Sequence, residues 1–364
     1  MAGTGEAWAI EAVLLPHGDV PERWWLDDGI LRDGPPGPAV AAEALPGRFV
    51  LPGLVDAHTH LAMEFADGSG TVVGDVDGAL ARHLAAGVTA VRDVGVPNGC
   101  HVERGRGRAD LPDVLGGPRY VAPADRYFPA LYEPTAPEDA APAAAAQVAA
   151  GADWVKLVAD SPMTEGSFFG PGPTYEPEVL AAVVEAVHAA GGRVAAHVTG
   201  ERVREAVLAG VDSVEHGSLL DEDLLAVLAA RGGAWTPTAG TVLGAVAQLE
   251  AMGAEPMLAL ARPHVEALRA AVPTAERLGV TVLAGTDMLG HGDLAGEVVA
   301  LVELGLSPVA ALDAASGAAR RYLGLPGLEP GQPAELVTYD ADPRDDPAVL
   351  ADPVAVVHAG RRIR

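Results

Sequence analysis

The segment Leu51-Pro-Gly-Leu-Val-Asp-Ala-His-Thr-His-Leu61 joins an apolar run to two histidines spaced two residues apart. Residues i and i+2 of a strand lie on one face, so His58 and His60 at a strand's C-terminal end project together. Neutral imidazoles paired in this way suit zinc and related divalent ions. Two strand-end histidines satisfied by hydrogen bonds are the plainer alternative.

Outward from this segment, short β-branched runs alternate with long Ala/Leu/Glu/Arg-rich amphipathic stretches. Strands are expected at 49–55, 88–94, 119–123, 154–159, 193–198, 212–216, 234–238 and 281–286. Helices are expected at 77–86, 140–149, 176–190, 201–209, 221–230 and 259–278, several of them followed by a glycine such as Gly210 or Gly279. Eight strands alternating with helices predict an α/β fold of the (β/α)8 TIM-barrel type, whose chemistry sits at the C-terminal strand ends. A doubly wound open sheet is the rival, but no G-x-G-x-x-G follows the first strand and no P-loop is present. The chain ends carry only short strand-like pieces at 8–15, 335–339 and 354–358. Neither end can bury a core alone, so residues 1–48 and 328–364 are expected to pair as one small β-domain beside a domain at 49–327.

Four further ligand-type residues end the later strands. Lys156 lies in the apolar fourth strand, where burial disfavours its charge; a neutral amine there can add carbon dioxide and become an anionic ligand. A buried lysine paired with an aspartate is the alternative. His197 and His216 end the fifth and sixth strands. Asp287 ends the eighth, where it could instead cap the next helix. Only 11 histidines exist in the chain, and four occupy such strand ends. Lys156 is also the only lysine among 24 basic residues, which points to a site that needs an amine.

Bulk composition narrows the partners. The chain has 364 residues, 49% of them apolar, and a formal net charge of −26. Such a charge argues against nucleic acid and anionic membrane surfaces. No apolar run spans a bilayer, and residues 1–6 do not read as the start of a signal peptide. Cys100 is the only cysteine, which suits a reducing cytoplasm. The expected partner is a small-molecule substrate, with homo-oligomerisation left open.

Order and context together resemble the amidohydrolase superfamily, in particular its imidazolonepropionase-like and prolidase-like members. The resemblance rests on the Pro-Gly-Leu-Val-Asp-Ala-His-Thr-His segment, Thr89-Ala-Val-Arg-Asp-Val-Gly95, Ala149-Ala-Gly-Ala-Asp-Trp-Val-Lys156, Val214-Glu-His-Gly217 and Ala284-Gly-Thr-Asp287. The tail Leu328-Glu-Pro-Gly-Gln-Pro-Ala-Glu-Leu-Val337 resembles the family's return into a β-sandwich domain. The N-terminal piece and the loop at 124–142 depart from the family pattern.

The resemblance implies two divalent ions, expected to be zinc: one on His58, His60 and Asp287, the other on His197 and His216, with N-carboxylated Lys156 as bridge. It implies hydrolysis of a C–N bond in an amide, dipeptide or cyclic amide by a hydroxide between the ions, with Asp287 carrying the proton. A mononuclear deaminase is the family alternative, using His58, His60, His197 and Asp287 as ligands and His216 as acid/base; a non-catalytic barrel scaffold is another. Weaker substrate-contact candidates are His291, His101 and Tyr127. Arg92 and Asp93 read as a structural ion pair. His17, His83, His188, His264 and His358 read as structural or solvent-facing.

Overall fold

The computed structural model describes residues 7–37, 41–64, 71–72, 75–102, 105, 107–128, 131–161, 172–200 and 202–364. The expectation about residues 1–6, and the first residue of the helix expected at 201–209, lie outside them.

The alternating signals resolve into parallel strands and covering helices. Leu54–Thr59, Val88–Asp93 and Asp113–Gly116 pair in one parallel sheet. Tyr120–Val121, Trp154–Val158, Arg193–Val198, Ser213–His216, Ala234–Thr236 and Thr281–Val282 pair in another. Backbone bonds link the two sets: Val96 N donates to Pro118 O at 2.9 Å, Ala57 N to Ala284 O at 2.9 Å, and Asp287 N to His58 O at 2.8 Å. Every residue of Leu54–Thr59, Val88–Asp93 and Trp154–Val158 is buried. Burial on both faces is why these strands read as continuous apolar runs without polar alternation. One packed cluster takes Val55, Ala90, Leu115, Trp154, Ala195 and Ala234 from strands of both sheets, with Leu283 just beyond Thr281–Val282, and includes Leu323 and Leu325. A larger cluster packs the helices against the outer faces.

One expected strand is divided. The run at 49–55 contains Phe49–Pro52, which pairs with Leu336–Tyr339 in the sheet of the chain ends, and then Leu54–Thr59 in the parallel set. Gly53 makes the switch: its N–H donates to Glu335 O at 2.8 Å, and a Cβ there would lie 2.2 Å from Thr89 Oγ1. The strand expected at 119–123 is shorter, Tyr120–Val121, and is preceded by a strand that the pattern did not predict, Asp113–Gly116, with Gly116 and Gly117 at φ +81° and +74° turning the chain between the two. Apolar character runs through the first break, so polarity alone could not locate it, whereas Gly116-Gly117-Pro118-Arg119 carries a turn signal.

The helix expected at 140–149 starts earlier, at Pro137, which shortens the loop expected at 124–142. Ala239–Ala251 forms a helix that periodicity did not predict; its Gly240, Gly244 and β-branched residues have weak helix propensity. The chain ends build a single eight-stranded sheet. Ala7–Leu14, Pro21–Asp27 and Ile30–Arg32 form an antiparallel run on one side, and Leu336–Tyr339, Ala355–His358 and Arg361–Arg362 lie on the other. The N-terminal piece is thus more regular than its sequence implied. Among the described residues, no helix is long and apolar enough to cross a membrane.

Candidate active site

The strand ends bring the predicted residues together. His58, His60, Lys156, His197, His216 and Asp287 are all buried, with 8% exposure at most. His58 Nε2 lies 3.6 Å and His60 Nε2 3.4 Å from Asp287 Oδ1, and His216 Nδ1 lies 3.9 Å from Asp287 Oδ2. The His216 ring centroid is 5.0 Å from that of His58 and 4.6 Å from that of His197. His58, His216 and Asp287 each offer a ligand atom within 4.8 Å of the others.

Hydrogen bonds fix what these atoms offer. His58 Nδ1 lies 2.6 Å from Glu215 Oε2. Burial would raise the Glu215 pKa, but Arg92 at 2.8 Å and the His58 contact hold it well below the usual carboxylate range. An ionised carboxylate only accepts, so the His58 proton sits on Nδ1 and the Nε2 lone pair is free. His60 Nδ1 faces the Gly95 carbonyl at 3.2 Å, which places its proton in the same way. The Nε2 atoms of His58 and His60 therefore face the same oxygen of the buried Asp287 carboxylate, at 3.6 and 3.4 Å, and the lone pair on His58 Nε2 has no hydrogen-bond partner among the described residues. Acceptors so arranged in a buried site call for a cation.

The remaining members are similarly bare. His58 Nε2, His197 Nε2 and Lys156 Nζ have no hydrogen-bond partner among the described residues. Burial keeps the imidazoles neutral, lowering His58 to about 3 and His216 to about 4 and pushing His197 well down. Burial also lowers the Lys156 ammonium to about 8, so a neutral amine is accessible near neutral pH. Among the described residues, no aspartate forms an ion pair with Lys156. Nor does Asp287 cap the following helix, whose N-cap is Asp293.

His216 and Asp287 adopt left-handed backbone, at φ +69° and +49°. Each such residue costs on the order of 1–3 kcal/mol and persists only where its surroundings over-determine it.

The substrate-contact candidates diverge. Tyr127 packs beside His197, ring centroids 5.6 Å apart, and beside Tyr120 at 5.0 Å. His291 is tied to the loop after the first strand, its Nε2 2.8 Å from Met63 O. His101 is exposed.

A supporting layer escaped the sequence reading. Arg92 does not pair with Asp93: its guanidinium donates to Glu215, Ser213 Oγ, Thr236 Oγ1 and Ala57 O. Asp93 accepts instead from the backbone N–H of Leu61 and Gly95, on either side of His60 in space. Asp56 accepts from His58 N, Thr286 N and Thr286 Oγ1, tying the first strand to the segment that carries Asp287. Tyr120 donates to Gly95 O and stands 3.2 Å from His60 Nδ1. His83, read as structural or solvent-facing, is fully buried with neither nitrogen bonded among the described residues. A charged residue inside an apolar strand, as in Val214-Glu-His, was the signal available for Glu215.

Similarity to known proteins agrees with this geometry. Residues 49–363 match the model of the amidohydrolase family. An uncharacterised protein of Mycobacterium tuberculosis is 35% identical over 350 residues, covering 93% of this chain and 90% of the relative. The ochratoxinase of Aspergillus niger is 27% identical over 358 residues, covering 85% of this chain and 74% of the enzyme. A Xaa-Pro dipeptidase solved with methionine in its active site shares the fold, with a TM-score of 0.79 at 23% identity over 99% of this chain and 100% of the dipeptidase. With buried strand-end histidines converging on an aspartate, and with a family match across most of its length, the chain belongs to the amidohydrolase family and is a hydrolase acting on carbon–nitrogen bonds.

Proposed function

We propose that this enzyme cleaves the C–N bond of a small amide, dipeptide or cyclic amide with a binuclear metal centre. His58, His60 and Asp287 would hold one ion and His197 and His216 the other, with N-carboxylated Lys156 between them; zinc suits this donor set. The reading is carried by one observation: the Nε2 atoms of His58 and His60 converge on a single oxygen of the buried Asp287 carboxylate. The bare Nζ of Lys156 supports the bridge, because a neutral amine that adds carbon dioxide loses a proton and becomes an anionic oxygen donor.

When bound, the ions would supply Lewis acidity toward the scissile carbonyl and lower the pKa of water toward about 7. The protein's own groups do the rest. Asp287 would accept the proton of the attacking water and deliver it to the leaving nitrogen. Glu215, locked between His58 and Arg92, keeps the His58 lone pair aimed at the centre. Tyr127, beside His197, would form part of the wall against the substrate.

The same reading places the parallel strands in a closed (β/α)8 barrel. The bonds from Ala57 to Ala284 and from Val96 to Pro118 support that closure. The small β-domain expected from the chain ends would be built on their single sheet and would include Phe49–Pro52, so that the barrel begins after Gly53 rather than at residue 49. A single cysteine and a net charge of −26 favour a cytoplasmic enzyme acting on a small molecule.

Metal analysis of protein grown with added zinc tests the centre: two ions per chain are expected, with turnover lost on chelation and restored by zinc. One ion per chain would favour the mononuclear deaminase arrangement, and none would refute both. Screening dipeptides and N-acyl amino acids then defines the substrate.

A further inference from the structure

Glu297 lies fully buried on the helix Leu294–Glu303, outside the ligand set. Its two oxygens accept from Ala239 N at 3.0 Å and Gly240 N at 2.7 Å. These are the first residues of the helix Ala239–Ala251, whose N-cap Thr238 makes no side-chain capping bond. Glu297 thus supplies the acceptor that an N-cap side chain ordinarily would. Close approach requires a glycine at 240, where a Cβ would lie 3.2 Å from Glu297 Oε2 and 2.7 Å from Leu289 Cδ1. Burial pushes the Glu297 carboxyl up to about 8, and among the described residues no cation forms an ion pair with it. An apolar residue would be cheaper at this position.

The helix start that Glu297 clamps reaches both halves of the site. Thr238 Oγ1 is 2.8 Å from His216 Nδ1. Thr241 Oγ1 donates to Thr286 O at 3.1 Å and accepts from Met288 N at 3.2 Å, bracketing Asp287 from both sides. Six non-glycine residues have positive φ among the described residues, and three of them are His216, Thr238 and Asp287. The turn at 238–241 therefore holds two strained site residues, and is itself held by Glu297.

We infer that Glu297 is a positioning residue: by clamping the start of the helix Ala239–Ala251 it fixes His216 through Thr238 and Asp287 through Thr241, setting both halves of the site with one carboxyl group. The effect on metal rests on the ligand roles proposed above; the effect on backbone order does not.

The test compares the full chain with Glu297→Ala, the isosteric Glu297→Gln and Val298→Ala, a buried neighbour on the same helix whose truncation only opens a cavity. Hydrogen exchange of the metal-free proteins is read by mass spectrometry in peptides 213–220 and 284–290. Exchange about tenfold faster is expected in both peptides for Glu297→Ala, less for Glu297→Gln, and no change for Val298→Ala. Titration with cobalt(II), followed by its visible absorption, should show affinity weakened about 10–100-fold in the Glu297 variants alone. If only residues 238–242 loosen, or Val298→Ala behaves like Glu297→Ala, the inference is overturned. If wild type binds no cobalt(II) while the exchange pattern appears, the positioning role stands and the metal assignment fails.

Discussion

Glu215 Oε2 stands 2.6 Å from His58 Nδ1, and both side chains are wholly buried. That contact holds the proton on Nδ1 and leaves the Nε2 lone pair free beside Asp287. In Glu215→Gln the contact can persist, but the charge that favours this tautomer is gone. Zinc affinity should fall about 10–100-fold, measured by competition with a chromogenic chelator. Wild-type affinity in this variant would remove Glu215 from the orienting role.

The other Glu215 oxygen pairs with Arg92 at 2.8 Å, again with no exposure on either side. Truncating one partner of a buried pair strands the other charge, which typically costs about 3–5 kcal/mol. Arg92→Met should lower the metal-free protein's unfolding free energy in urea by about that much. Arg92→Met combined with Glu215→Gln should recover part of the loss, because no uncompensated carboxylate remains. A double variant less stable than Arg92→Met would contradict this account.

Lys156→Ala should bind fewer than two ions per chain and lose turnover, as read by metal analysis and rate together. Wild-type protein stripped of metal and reloaded in carbon-dioxide-free buffer should regain activity slowly, and bicarbonate should speed the recovery. Full metal content and activity in Lys156→Ala would sink the bridging role. So clean a test is possible because no other lysine exists to substitute for it.

The strand ends were legible because each carries a ligand-type residue after an apolar run, and that combination is rare in a chain with 11 histidines. The supporting layer was far less legible. Glu215, Arg92 and Asp56 act across sheet neighbours more than 30 residues away in sequence, and no local period encodes such contacts. Arg92 and Asp93 illustrate the trap: adjacent opposite charges suggest a pair, but successive strand residues point to opposite faces. Arg92 meets Glu215, and Asp93 meets the backbone beside His60. Gly53 escaped for a different reason, since the chain changes sheets there without any change in polarity.

Asp287→Asn keeps the side chain's shape and removes its basicity. Turnover should drop about 10²–10⁴-fold, the usual contribution of a positioned proton carrier, while part of the metal stays bound through the histidines. Parallel measurement of rate and metal content separates the two effects. An asparagine variant with near-wild-type turnover would show that another group moves the proton.

His358, in the sheet of the chain ends, is fully buried between Glu335 Oε2 at 2.8 Å from Nδ1 and Leu111 O at 2.8 Å from Nε2. With an acceptor at each nitrogen, the ring fits best as imidazolium. Burial alone would lower its pKa, but Glu335, Asp113 and the Leu111 carbonyl outweigh burial and raise it above the ordinary 6.5. A raised folded-state pKa means that its stabilisation is complete below 6.5 and is lost as pH climbs through the raised value. Leu111 leads into Asp113–Gly116, so the contact ties the sheet of the chain ends to the parallel strands. His358→Gln should therefore cost about 1.5–3 kcal/mol at pH 6, the scale of a charge-assisted hydrogen bond, and clearly less at pH 9. Urea unfolding of wild type and variant at the two pH values measures the difference, and an equal cost at both would mean that His358 is neutral in the folded protein.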